Sequence, residues 1–176
     1  TLFIVLQTAF ALLLHRYSFD NDIVIGTPVA VRSDCNSDPL LDVFVNRLVL
    51  RTNIKSNQRF IDLLLINKKM ILAAYENRYL PFDMVVELCQ PERSTSYTPL
   101  CQILFTLNMD EEDSIVGRSM HQPLQSARDK STLDFELVIN FNARQLSCHW
   151  SYNTCLFAPA SIKRMANVFE QVLKAV

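Results

Sequence analysis

Residues 2–16 (LFIVLQTAFALLLHR) are apolar at almost every position and rich in good helix formers, with His15 and Arg16 at the end where cations suit the helix dipole. A helix that is hydrophobic all round has no face to give to water, so the rest of the chain has to wrap it. At 176 residues and 20.2 kDa the chain is long enough for one well-buried core, or for one lobe of a larger molecule, and too short for two ordinary domains. Hydrophobic residues make up 49% against 20% charged, which excludes a disordered chain and predicts a packed body.

Beyond the first helix the pattern alternates in period. Asp20, Asn21 and Asp22 form a turn, and residues 23–31 (IVIGTPVAV) read as a strand interrupted at Gly26 and Pro28, the proline pointing to an edge or a bulge. After a polar loop over 33–39, residues 43–52 read as a buried strand. The clearest helix covers 59–79, with Phe60, Leu63, Leu64, Asn67, Ile71, Ala74 and Tyr75 recurring at three- and four-residue steps. A short helix follows Pro81, an irregular linker spans 91–99, and 100–109 is a further strand. Residues 110–130 lack periodicity and read as an exposed connection. Strands over 133–141 and 145–152 flank a short turn at Asn142, Ala143 and Arg144, and an amphipathic helix over 161–176 closes the chain with Ile162, Met165, Val168, Phe169 and Val172 on one face. This order predicts an α/β body, a mixed β-sheet packed with helices.

Composition removes several chemistries. Net charge is −1, so no long-range field gathers phosphates or anionic lipid, and neither nucleic acid nor membrane is an expected partner. Two glycines, Gly26 and Gly117, cannot build a glycine-rich phosphate loop or a GxSxG nucleophile elbow. The five cysteines include no CxxC pair and the three histidines have no second ligand at metal spacing, so neither a disulfide framework nor a metal site is expected. Reduced thiols fit a cytoplasmic protein. The four acids at 110–113 have no apolar neighbours and read as a solvated loop rather than an acid/base dyad. The opening run begins without Met, lacks the basic leader of a signal peptide and falls short of the ~20 residues that span a bilayer, so the chain is expected to be part of something longer.

Five ordered phrases carry more information. TLFIVLQTAFALLLHRYSFDNDIVIGTPVAVR ends like a GTPVAxR phrase; LLDVFVNRLVLRTNI is similar to a glycine followed by FVNT; AYENRYLPFDMVVE stands where HQDLPFE is common; PERSTSYTPLCQILF is similar to PERDxSxxPLFQVxF; and LDFELVINF to SYNTCLFAPASIKRMANVF match an FDL strand and a YNTDLF segment. In these phrases the chain resembles the C-terminal lobe of the condensation domains of nonribosomal peptide synthetases, members of the chloramphenicol acetyltransferase-like fold, over about 150 residues. There are departures: Asp42 stands for the glycine, Arg47 for the threonine, Asn77, Arg78 and Tyr79 for the His-Gln-Asp triplet, Ser94 for an aspartate, and Cys155 for the aspartate of YNTDLF.

The resemblance implies that residues 1–176 are one lobe of a two-lobed catalyst that joins two thioester-bound acyl groups through an amide. Each substrate would arrive on the phosphopantetheine arm of a peptidyl carrier protein, with no cofactor bound directly. The implied partners are the N-terminal lobe, that carrier and an adenylation domain. The family's HHxxxDG signature belongs to the N-terminal lobe and is absent here, so the chain alone is expected to be inactive, with no catalytic residue. Gly26, Arg32, Asn46, Asn77, Gln102 and Asp134 are the candidates for the tunnel wall or lobe interface. Most also have a bland reading: strand punctuation for Gly26 and a charged exit for Arg32, backbone tying for Asn46, helix-end polarity for Asn77, and a carboxylate held by backbone N–H groups for Asp134. Two other functions stay open, a non-catalytic module that contacts carrier or adenylation domains, and a coenzyme A-dependent acyltransferase. The latter needs an HxxxD histidine, whereas His15, His121 and His149 are followed four residues on by Phe19, Gln125 and Asn153.

Overall fold

The computed structural model describes residues 1–31, 45–92, 94, 97–109, 133–142 and 145–176. Helix α1 (Leu2–Ser18) is followed by strands β1 (Asp22–Ala30) and β2 (Val45–Asn53), helices α2 (Phe60–Glu76) and α3 (Phe82–Cys89), strands β3 (Ile103–Met109), β4 (Phe135–Asn142) and β5 (Gln145–Tyr152), and helix α4 (Pro159–Ala175). The five strands form one mixed sheet in the order β2-β1-β3-β4-β5. β1 runs antiparallel to β2 and parallel to β3, β3 parallel to β4, and β4 antiparallel to β5. The expected mixed sheet packed with helices is what forms.

The buried first helix is the centre of the body. Leu6, Ala9, Phe10, Leu13 and Leu14 join Ile23 and Ile25 of β1, Phe105 of β3, Phe135, Leu137 and Ile139 of β4, and Ile162, Met165 and Phe169 of α4 in one core. Phe10 is its hub: its ring lies 5.8 Å from Phe105, 6.0 Å from Phe135, 6.1 Å from Phe169 and 6.3 Å from Trp150, separations at which aromatic pairs add to plain burial. A second, smaller core gathers Ile4, Val29, Leu48, Leu50 and Ile71 between α1, α2 and the β1–β2 pair. All of these strand residues share one face, since side chains alternate along a strand. The helices α1, α2 and α4 therefore cover one side of the sheet. Of the described helices, only α3 meets the other side, with its first turn, where Phe82 reaches Arg47 of the edge strand β2.

Four features differ from the sequence reading. The α2 helix stops at Glu76, short of Tyr79, because Asn77 caps it: its N–H bonds Ala74 O and Tyr75 O, and its side-chain Nδ2 donates to Ala73 O at 2.9 Å. Tyr75, expected on the buried face, is 49% exposed. The third strand starts at Ile103 rather than Leu100, because Leu100 takes a left-handed φ of 65° that no strand continues. β1 carries no bulge, its nine residues pairing without interruption with β2, and it lies inside the sheet. Its ladder to β3, however, holds the single register pair Gly26↔Leu104. At Pro28 the strand pairs with β2 alone, which is how a residue without an N–H is accommodated. The connection 110–130 and residues 143 and 144 of the hairpin turn lie outside the described residues. No helix among the described residues is long and apolar enough to cross a membrane.

A buried polar network pins the two helices to the sheet. Asn67 of α2 donates from Nδ2 to Gln7 Oε1 and to Thr8 Oγ1 of α1, and accepts from Thr52 Oγ1 of β2, while Thr8 Oγ1 donates to Ile4 O. Gln7, Thr8, Thr52 and Asn67 are all buried. Gln7 Nε2 is left without a partner among the described residues. Asn67→Ala orphans its partners and opens a cavity, and we expect it to cost about 3 kcal/mol in urea denaturation. Gln7→Leu removes one unpaired donor together with the acceptor of one Asn67 N–H and should cost less, about 1–2 kcal/mol; the reverse order would show that Asn67 is not the organising member.

Candidate functional site

The residues singled out in the sequence fall into two groups, and Arg32 lies outside the described residues. The first group sits where β1, β2 and the α2–α3 connection meet. Asn46, on β2, donates from Nδ2 to Arg78 O at 2.8 Å and to Leu80 O at 2.7 Å, and its Oδ1 accepts the Phe82 N–H at 3.1 Å. One amide thus satisfies three backbone groups of the connection that contains Asn77 and leads into α3, which is the backbone-tying role read from the sequence. A carboxamide can do this because it offers two donors and an acceptor from one planar group. Asn77 itself caps α2 and is exposed.

Gly26 is buried in the middle of β1. A Cβ there would stand 2.6 Å from Leu104 Cδ2 and 2.8 Å from Cys101 Sγ, with Arg47 Cδ at 3.5 Å. Close approach, not backbone conformation, requires the glycine, since its φ is not positive. The side chains that press on it cover the sheet face opposite α1, α2 and α4.

Two of those neighbours, Arg47 and Cys101, are absent from the sequence-derived candidates. Cys101 is fully buried, and burial pushes its thiol pKa up even though the positive charge of Arg47 nearby pulls the other way. Arg47 is half-buried and lies over the ring of Phe82, its guanidinium carbon 5.2 Å from the ring centroid. The signal was present in the phrases themselves: Arg47 stands for a threonine, and PLCQ puts Cys101 where PLFQ has a ring. Arg51, further along the same face of β2, is different. It grips Asp22 through Nε (2.9 and 3.0 Å) and Nη2 (2.7 Å), and this bond holds the Asp22 carboxyl below its usual range.

The second group lies at the starts of β3 and β4. Gln102 O accepts the N–H groups of Asp134 (3.1 Å) and Phe135 (3.4 Å), and Asp134 O accepts the Asn153 N–H at 3.0 Å. Asp134 is therefore tied by its main chain. The expected bonds to its carboxylate are absent among the described residues, because the N–H groups nearby already bond to carbonyls. Gln102 Nε2 donates to Thr98 O at 3.0 Å. Gln102 also lines a cleft of ≈ 650 Å³ between the end of α1, the start of β1 and the first turns of α4, together with Leu14, Ile23, Phe157, Arg164 and Met165. The two groups do not form one site.

No catalytic constellation accompanies them among the described residues. His15 Nδ1 contacts Asp20 O at 2.7 Å, His149 is exposed on the edge strand β5, and no group of three potential metal ligands occurs among the described residues. Beyond Gly26 the open sheet face turns polar: Asn108 Nδ2 donates to Asn140 Oδ1 at 2.8 Å across the parallel β3–β4 pair, with Ser147 of β5 in register beyond.

The described residues form a five-stranded α/β sheet with α1, α2 and α4 on one face, and comparison with known proteins gives its kind. The family model described as Condensation domain matches residues 1–176, and the chain belongs to the condensation-domain family. It is 36% identical over 181 residues to a linear gramicidin synthase of Brevibacillus parabrevis and 34% identical over 177 residues to gramicidin S synthase 2 of Brevibacillus brevis, in each case covering 100% of this chain and 4% of the relative. Among solved structures, a holo four-domain nonribosomal peptide synthetase bound to AMP and glycine superposes with a TM-score of 0.86 at 25% identity, covering 99% of this chain and 14% of that one. The X-domain from teicoplanin biosynthesis shares the fold with a TM-score of 0.84 at 20% identity, over 98% of this chain and 40% of that one. The chain thus spans a small part of the length of the relatives it matches.

Two substitutions test this geometry. Asn46→Ala removes three hydrogen bonds and should cost about 2–3 kcal/mol, with faster hydrogen exchange at the Phe82 amide; unchanged exchange there would show that the connection is held by something else. Gly26→Ala forces Leu104 and Cys101 aside and should cost about 1–3 kcal/mol in urea denaturation.

Proposed function

We propose that the chain is the C-terminal lobe of a nonribosomal peptide synthetase condensation domain with a chloramphenicol acetyltransferase-like fold, and that its open sheet face forms one wall of the tunnel in which the amide bond is made. The observation that carries this reading is the match to the condensation family over residues 1–176, by described residues that leave most of one sheet face without helices. In the reaction an acceptor amine, borne on one carrier arm, attacks the thioester carbonyl of the donor on another; the new C–N bond forms as the C–S bond breaks and the arm leaves as a thiol. The acid-base group for that step belongs to the N-terminal lobe on this reading. The present residues contribute walls and positions: Asn46 fixes the entry to α3, Gly26 lets Leu104 and Cys101 close over β1, and Asn77, Gln102 and Asp134 are interface or tunnel-mouth candidates, as is Arg32. The phosphopantetheine arm is a substrate carrier here, and the expected partners are the N-terminal lobe, a peptidyl carrier protein and an adenylation domain in a cytoplasmic assembly.

The departures at Asn77, Arg78, Tyr79 and Cys155, with no adjacent histidines in the chain, favour a second reading, a non-catalytic module that contacts carrier or adenylation domains. The deciding experiment joins the chain to a matching N-terminal lobe and assays dipeptidyl thioester formation. We expect product from the folded pair and none from the chain alone. A folded pair that makes no product, yet binds carrier equally with and without its arm, would establish the scaffold instead.

A further inference from the structure

On the open face of β2 two arginines stand two alternations apart, and they are treated differently. Arg51 is neutralised by the bidentate bond to Asp22 and its side chain is 73% exposed. Arg47 is further from water, yet no carboxylate pairs with it among the described residues. Its stem runs past Gly26 and its guanidinium rests on Phe82. Phe82 is itself fixed, because its N–H bonds Asn46 Oδ1. A ring face orients a guanidinium without neutralising it and takes up none of its five N–H donors. A cation that is partly desolvated and lacks a counter-charge gains most from an anion of matching planar or tetrahedral geometry.

We propose that Arg47 is a specificity-determining residue that receives an anionic group of the thioester-borne substrate. This rests on the reading that the open face lines the tunnel. The chemistry it would recognise is a carboxylate or a phosphate oxygen, and a bound thioester can present either: the side chain of an acidic aminoacyl group, or the phosphate of the pantetheine arm. Cys101 makes the arrangement possible by being small. A larger side chain at that position, pressed against Gly26, would take the volume through which the Arg47 stem passes.

The test uses the full 176-residue chain, labelled with nitrogen-15, and follows the Arg47 Nε–H resonance, assigned by its loss in Arg47→Lys. Four probes are titrated: 4′-phosphopantetheine against pantetheine, and the glutamyl against the glutaminyl thioester of N-acetylcysteamine. We expect the resonance to shift saturably with the charged member of one pair and about tenfold less tightly, or not at all, with its neutral partner. A response to phosphopantetheine identifies the arm as the source of the anion, and a response to the glutamyl thioester identifies the aminoacyl side chain. Arg47→Gln should abolish the discrimination, and Arg51→Gln should leave it intact. Equal responses within both pairs, or no response in the unaltered chain, would overturn the inference whether or not Arg47→Gln folds. Because this readout is binding, it fails independently of the amide-forming assay: product without charge discrimination refutes the role of Arg47 alone.

Discussion

Because the apolar surface of α1 extends round the whole helix, one side packs on the sheet and the others need α2 and α4. With these three helices placed on one side of a five-stranded sheet, the first turn of α3, at the β2 edge, is all that the described helices place on the opposite side. The open face is thus a consequence of how the first helix is buried. Phe10 shows the coupling at one residue, since its ring meets side chains from β3, β4, β5 and α4 at once. Residues more than a hundred positions apart in the chain are held in one core by the first element of the chain.

Polar groups then set the register that apolar packing leaves loose. Hydrophobic contacts are non-directional, and α1 and α2 meet through side chains that could slide by a turn. Asn67 prevents this, because its donors and acceptor are matched to Gln7 and Thr8 on α1 and to Thr52 on β2. Asn46 does the same at the edge of the sheet for the connection between α2 and α3. Both are asparagines inside otherwise apolar stretches, and in both the amide bridges segments that are distant in sequence.

Much of this is legible in the residues alone. Apolar periodicity locates α2 and α4, an all-round apolar run marks α1 and Pro81 marks α3, and the phrases around Gly26, Asn46 and Gln102 mark residues that do sit at junctions. The hidden part is set by distance in sequence. Asn67 reads as one more member of the helical face of α2, and only the fold reveals that it meets Gln7, 60 positions away. Arg47 and Cys101 each look like an isolated departure, but β1 and β3 lie side by side at Gly26 and Leu104, and this brings the two together. The end of α2 and the start of β3 are shifted from their expected places because a cap at Asn77 and a left-handed turn at Leu100 depend on local geometry that residue type alone does not prescribe.

The open face also changes in character along the strands. Near the middle of β1, Gly26, Cys101 and Leu104 are buried without any of α1, α2 or α4 above them, so the chain closes this region with its own side chains. Towards the ends of β3 and β4 the same face presents Asn108 and Asn140 bonded to each other, in a row that continues to Ser147. A surface meant only for a second hydrophobic layer would have no use for a pair of amides, since each loses its water on burial and needs bonds in its place. A surface facing a hydrated passage keeps that water. The described face thus passes from a closed, apolar centre, with the guanidinium of Arg47 beside it, to a polar end at Asn108, Asn140 and Ser147.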